Sequence, residues 1–218
     1  HRHTHIRQSD FSKIPGSPIA YWVSERVLEA FEDETRLDSF QEAKSGMSSS
    51  HSSRFLRQWH EVNWNALGIE CSNHKEAELS LKKWFPYNKG GGSRKWYGYN
   101  DIIINWYKSG EDIKSFVTNN PKDPNTTHWS RRLFNLEYFF LSGITWSAVT
   151  SGSFSVRIVD VGVIPGTGSK TLYYATHEQR LKFLGVLNSQ FVKNCLEFIS
   201  PTLNFEVVVS KYMIAKVS

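Results

Sequence analysis

Apolar positions set the first expectation. In "SPIAYWVSERVLEAFE", Ile19, Val23, Val27 and Phe31 recur at helical spacing with Trp22 and Ala30 beside them, and a stripe of that period predicts an amphipathic helix. Ser17 stands where an N-cap is wanted, and Pro18 where a first-turn proline is tolerated. The stripe gives way to "KSGMSSSHSS", a loop by composition. "RFLRQWHEVNW" follows, with Arg54 and Arg57 set among Phe55 and Trp59. "KKWFPY" and "SRKWYGY" then read as two short strands on either side of "NKGGG", a hairpin with a glycine loop.

"DIIINWY" is β-branched and reads as a buried strand. "NNPKDPNTTHWS" is polar and broken by prolines, the best linker candidate inside the chain. "SFSVRIVDVGVI" alternates as a strand does, and "PGTGSK" turns after it. "HEQRLKFLGVLNSQFVKNCLEFI" reads as a helix interrupted at Asn188 and Ser189 and ended by Ser200 and Pro201; "NFEVVVSKYMIAKV" reads as a closing strand. No internal repeat occurs, and strands and helices do not alternate as a doubly wound parallel sheet requires. The expected fold is α+β: mixed and β-rich, with an N-terminal helix and a C-terminal helix pair.

Composition narrows the picture little. The 218 residues allow a sizeable core; eight tryptophans favour broad packed or stacking surfaces, and a net charge of +5 is compatible with a polyanionic partner without demanding one. Cys71 and Cys195 stand 124 positions apart and show no metal-ligand spacing. They are expected as reduced thiols. No apolar run approaches the ~18–20 residues of a membrane span, and "HRHTHIRQSD" lacks the apolar segment of a secretion signal. A cytoplasmic setting without a membrane partner is expected, with residues 1–13 as a disordered or boundary segment. His1, His3 and His5 alternate there, and no metal site is assigned to them.

Enzyme signatures are missing. In "VDVGVIPGTGSKT" Ser169 separates Gly168 from Lys170, which breaks the spacing of a phosphate-cradling loop. Gly166 and Gly168 form a Gly-x-Gly turn, but strand residues follow where a cofactor loop opens a helix. There is no Gly-x-Ser-x-Gly elbow, His60-Glu61 lacks a second histidine, and no Pro-Pro dipeptide occurs. No catalytic residue is therefore assigned.

One stretch stands apart. "KKWFPYNKGGGSRKWYGYN" gathers Lys82, Lys83, Lys89, Arg94 and Lys95 with six aromatic rings and no carboxylate between Glu78 and Asp101. Glycines let a backbone approach phosphates while cations neutralise them, and rings stack on exposed bases. The alternative is a solvated basic hairpin whose rings belong to the core.

The same stretch carries a resemblance. "WFPYNKGG…RKWYG", followed by "NW", resembles the target-recognition region of BREX-type adenine-specific DNA methyltransferases, bacterial phage-defence enzymes. "PIAYWVSERVLEAF", "RFLRQWHEV", "GITWSAVTSGSFSVR" and "LGVLNSQFVKNCLEFISPTLNFEV" resemble further blocks of that family in the same order. The likeness runs from about Ile14 to Val208. It departs in "SSSHSS", where the family carries a defined turn, at Gly92-Ser93, and in "GVIPGTGSK".

The resemblance implies that residues 14–218 are a target-recognition domain that binds double-stranded DNA. The catalytic domain and its cofactor, S-adenosylmethionine, would belong to the parent enzyme; no cofactor is assigned to this chain. Phosphate contacts are then expected from Arg54, Arg57, Lys89, Arg94 and Lys95, with additions from Ser151, Ser153, Arg157 and Lys170. Asn88, Asn100 and Arg94 carry the groups suited to adenine and guanine edges. Tyr87, Trp96 and Tyr99 would brace the loop or meet bases. The competing reading is a docking module for other defence subunits, without DNA affinity of its own.

Overall fold

The computed structural model describes Ser9 and residues 42–173, 176–199 and 204–205. The predicted first helix and nearly all of the closing strand lie outside these residues.

Among the described residues two four-stranded sheets form, each with one face covered by helices. The first has the order β1 (Lys44–Ser45), β8 (Ser169–Leu172), β5 (Gly143–Ser147), β6 (Val156–Val159), all antiparallel. The second has the order β2 (Leu56–Gln58), β4 (Ile102–Asn105), β3 (Trp84–Asn88), β7 (Ile164–Pro165), with β3 and β7 parallel. The fold is mixed α+β, and its C-terminal helix pair is present as α4 (His177–Leu187) and α5 (Gln190–Ile199).

Strand alternation explains the layering of the first sheet. Ile144 and Trp146 of β5, Val156 of β6 and Leu172 of β8 point one way, into a core completed by Phe183, Leu184 and Leu187 of α4 and by Val192 and Leu196 of α5. Thr145, Arg157 and Thr171 stand in register on the opposite face. That face is buried too, although every one of those residues is polar. Thr176 caps α4 by accepting from the Gln179 N–H. Asn188 then breaks the helix as its composition suggested. Its side chain bonds both the N–H and the carbonyl of Val156, at 3.0 and 2.8 Å, which ties the end of α4 to β6.

The second core lies between β3, β4 and the helices α2 (His74–Leu79) and α3 (Tyr107–Thr118), around Phe85, Ile104, Ile113 and Phe140. Helix α2 is capped by Asn73, which accepts from the Glu76 N–H. A short helix α1 (Ser52–Phe55) precedes β2. Segment 107–118, to which no helix was assigned, begins with a left-handed turn at Lys108, Ser109 and Gly110 before the right-handed helix starts.

Three expectations are corrected. "SRKWYGY" is not a strand, and β3 makes no hairpin with it: β3 takes β4 and β7 as its neighbours. The reason is conformational, since Trp96 and Tyr99 hold φ of 72° and 63°, outside any strand. Segment 119–130 is not a linker, because Val117 before it and Leu133 after it belong to one apolar cluster. "SFSVRIVDVGVI" is not one strand either; a turn at Val161 and Gly162 divides it into β6 and β7.

Candidate nucleic-acid interface

Segment 89–100 is a loop fixed at many points. Gly90 (φ 87°) lies against the backbone carbonyl of Gly168, so closely that a Cβ would overlap it, and Gly168 approaches Lys89 in the same way. Only glycine fits there, because a side chain would need both a left-handed backbone and absent space. Ser147 Oγ donates to the Gly92 carbonyl at 3.3 Å, and the Arg94 N–H donates to Ser155 Oγ at 2.8 Å. The Trp96 N–H donates to the Val156 carbonyl, while its own carbonyl accepts from the Ile158 N–H, both at 2.9 Å. Trp96 thus pairs beside Arg157 as a one-residue parallel bridge on the edge of β6.

The underside of the loop rests on the buried polar face of the first sheet. Asn88 Nδ2 donates to Thr145 Oγ1 at 2.9 Å, and Thr171 Oγ1 donates to the same oxygen at 3.2 Å. Arg157 is 1% exposed. Its guanidinium donates to Asn88 Oδ1 at 3.2 Å and Ser147 Oγ at 3.5 Å, and lies 5.0 Å from the centre of the Tyr99 ring. The Arg94 guanidinium also lies 5.0 Å from that ring. Burial lowers the Arg157 pKa to about 10; Tyr99 opposes the fall and neighbouring Arg94 adds to it. Both hydrogen-bond partners of the guanidinium are neutral. A cation is therefore buried under a loop that is itself cationic.

The sequence candidates divide on this geometry. Lys89, Arg94, Trp96 and Asn100 are exposed on the loop, and Tyr99 is partly covered. Lys95 donates to the Asn188 carbonyl at the end of α4 at 2.9 Å. Its pKa is lowered by partial desolvation and by Lys193 of α5. Lys193 in turn reaches Ser153 Oγ at 3.4 Å, and Gly152 packs on Ser93, so the loop bearing Ser151 and Ser153 borders segment 89–100.

Other candidates lie elsewhere. Asn88 and Arg157 form the floor and not the surface. Lys170 is buried, with its ammonium on Ser45 Oγ and the Thr167 carbonyl at 3.0 and 2.8 Å. Tyr87 is buried and donates to the Met47 carbonyl. Arg54 stacks on Phe55 and Phe116; Arg57 lies over Trp84 and donates to the Ser53 and Leu56 carbonyls. Neither arginine contacts the loop. Lys193 was not foreseen, since it stands 98 positions beyond Lys95 and only the docking of α5 brings the two together.

The loop and its border carry Lys89, Arg94, Lys95 and Lys193, on a backbone held by hydrogen bonds, with rings beside them. Cations so placed are chemically able to neutralise phosphates. Among the described residues no three His, Cys, Asp or Glu side chains form a metal-holding group, and no helix is long and apolar enough to cross a membrane.

Comparison with known proteins now adds the ancestry. No protein-family model matches the chain. It is homologous over about 200 residues to a segment of adenine-specific methyltransferases. Two relatives are the adenine-specific methyltransferase PglX of Lacticaseibacillus casei (strain Zhang), 38% identical over 202 residues, and the adenine-specific methyltransferase BrxX of Escherichia coli O9:H4 (strain HS), 31% identical over 201 residues. These matches take in 92% and 91% of this chain but 16% and 15% of the relatives, so the chain spans a small fraction of their length.

Proposed function

We propose that this segment binds duplex DNA as the target-recognition part of an adenine-specific DNA methyltransferase of a bacterial, BREX-type phage-defence system. One observation carries the reading: exposed Lys89 and Arg94, with Lys95 beside Lys193, stand on or against a loop clamped by β6, the β7–β8 turn and α4, above a buried Arg157 whose hydrogen-bond partners among the described residues are neutral. Phosphate contacts from these cations position the duplex, and Arg94 and Asn100 are the groups placed for base edges. The methyl donor, S-adenosylmethionine, would be held elsewhere in the parent enzyme. The Gly166–Thr167–Gly168 turn leads from strand into strand, where a cofactor loop needs a helix N-terminus.

The test is the salt dependence of duplex binding. Four neutralised phosphates give a slope of about −3.6 in log K against log salt, hence a roughly 150-fold loss between 50 and 200 mM. The double change Lys89→Ala, Arg94→Ala lowers the slope by about 1.8 if each meets one phosphate. Duplex binding that ignores salt, or a slope unchanged in the double variant, rejects the assignment. A docking role within the defence complex is the second reading, favoured by the exposure of Trp64, Leu79 and Leu81. It predicts salt-insensitive partner binding and no duplex affinity.

A further inference from the structure

An aromatic cleft of about 310 Å³ borders the basic loop, which contributes Tyr97 and Asn100 to its wall. Trp59 and Trp64 form other parts of the wall, with Pro86 and Asp160. The three rings are 47%, 65% and 57% exposed for Trp59, Trp64 and Tyr97. Among the described residues, the one ring contact of Trp59 is with His60, edge-on, and Trp64 and Tyr97 make no ring contact. Tyr97 belongs to the same loop as Lys89, Arg94 and Lys95, the cations assigned to phosphates above.

Polar groups in the cleft are few and placed together. The Tyr97 hydroxyl interacts with the Asp160 carboxylate and with Asn100. An amide offers both a donor and an acceptor, and a carboxylate accepts from an amino group. That pairing matches the edge of a base with an exocyclic amine, such as adenine or cytosine. The volume is at the small end of the ~300–1,000 Å³ found for small-ligand sites, which suits one planar group and excludes a helix. A base inside a duplex has both faces covered by its neighbours. Only an unstacked base can offer a face to these rings.

We propose that the cleft of Trp59, Trp64 and Tyr97 holds a single unstacked nucleobase of a DNA strand whose adjoining phosphates lie on the 89–100 loop. The inference rests on the duplex-binding reading above and adds a second kind of contact to it. Stacking on exposed rings carries no requirement for charge, so it contributes affinity without adding to the salt slope.

The experiment uses the full chain with two probes of one sequence: an intact duplex, and the same duplex with one unpaired 2-aminopurine bulge. The bulged probe is expected to bind about tenfold more tightly, and its fluorescence to be quenched on binding by stacking. Trp59→Ala and Trp64→Ala, at exposed positions that leave the cores intact, should each remove most of that preference and the quenching. Intact-duplex affinity and salt slope should be unchanged. Equal affinity for the two probes, without quenching by the unaltered protein, overturns the cleft proposal while leaving the loop reading in place. So does an equal loss on both probes in the tryptophan variants, which assigns the cleft to a protein partner or to folding. No affinity for either duplex overturns both readings.

Discussion

Arg157→Met tests the idea that a buried charge is kept for a partner and not for the fold. The guanidinium is 1% exposed, and its pKa falls from the ordinary arginine value to about 10, chiefly through burial. At ~1.4 kcal/mol per tenfold change in proton affinity, that fall corresponds to about 3 kcal/mol of unfavourable environment for the charge. Methionine removes the cost with a side chain of similar reach. It orphans Asn88 Oδ1, worth about 1–3 kcal/mol, while Ser147 keeps its bond to the Gly92 carbonyl. The variant should therefore be between unchanged and about 2 kcal/mol more stable, in line with other buried charges exchanged for apolar residues. Because the folded pKa lies below the unfolded one, the unfolded chain holds more protons between about pH 10 and the ordinary arginine pKa, and wild-type stability rises with pH there. Below about pH 10 the cost is constant.

Function should move the other way. Tyr99 loses one of the two guanidinium groups at its ring, and the loop loses the positive potential beneath it. A cation–ring contact is worth ~0.5–2 kcal/mol, so duplex affinity should fall roughly two- to thirtyfold. Urea unfolding followed by tryptophan fluorescence, paired with duplex titration at low salt, reads both quantities. A variant destabilised by more than ~2 kcal/mol whose folded fraction binds duplex normally would refute the reasoning, because Arg157 would then be an ordinary structural pillar.

Further expectations follow from single contacts. Gly90→Ala forces a side chain onto the Gly168 carbonyl at φ 87°, so duplex affinity should fall at least tenfold as the loop shifts, with both apolar cores retained in the near-ultraviolet spectrum. Asn188→Ala strips the N–H of Val156 of its partner and should lower unfolding free energy by about 2 kcal/mol in urea titration. Cys71 and Cys195 are buried free thiols, and burial pushes Cys195 up to about pKa 11. A thiol reagent at pH 8 should label neither quickly until denaturant is added; rapid labelling of Cys195 in native protein would contradict its placement.

Much of the architecture was readable where one short-range cause decides it. Three consecutive isoleucines at 102–104 announce β4, and Asn188-Ser189 announces the break between α4 and α5. The supposed hairpin was unreadable because β3 is satisfied by partners far along the chain, Ile103 and Ile164 among its neighbours' residues, and Trp96 and Tyr99 adopt a backbone that few side chains prefer. Arg157 misled for another reason. Alternation in "SVRIV" does send it away from the apolar core, but that second face is roofed by the loop, so outward did not mean exposed. Exposed cations on the loop were legible from charge alone, whereas Lys193 and the cleft depend on long-range packing.

The anchors of the loop all arrive late in synthesis. Arg94 waits for Ser155, 61 residues downstream, and Lys95 for Asn188, 93 residues downstream. At ~5–20 residues per second, the second wait lasts about 5–20 s on the ribosome. Throughout that interval the Lys95 ammonium lacks the carbonyl that anchors it in the fold. A chain cut short before Asn188 keeps Lys89, Arg94 and Lys95 but loses Lys193 and the carbonyl that anchors Lys95.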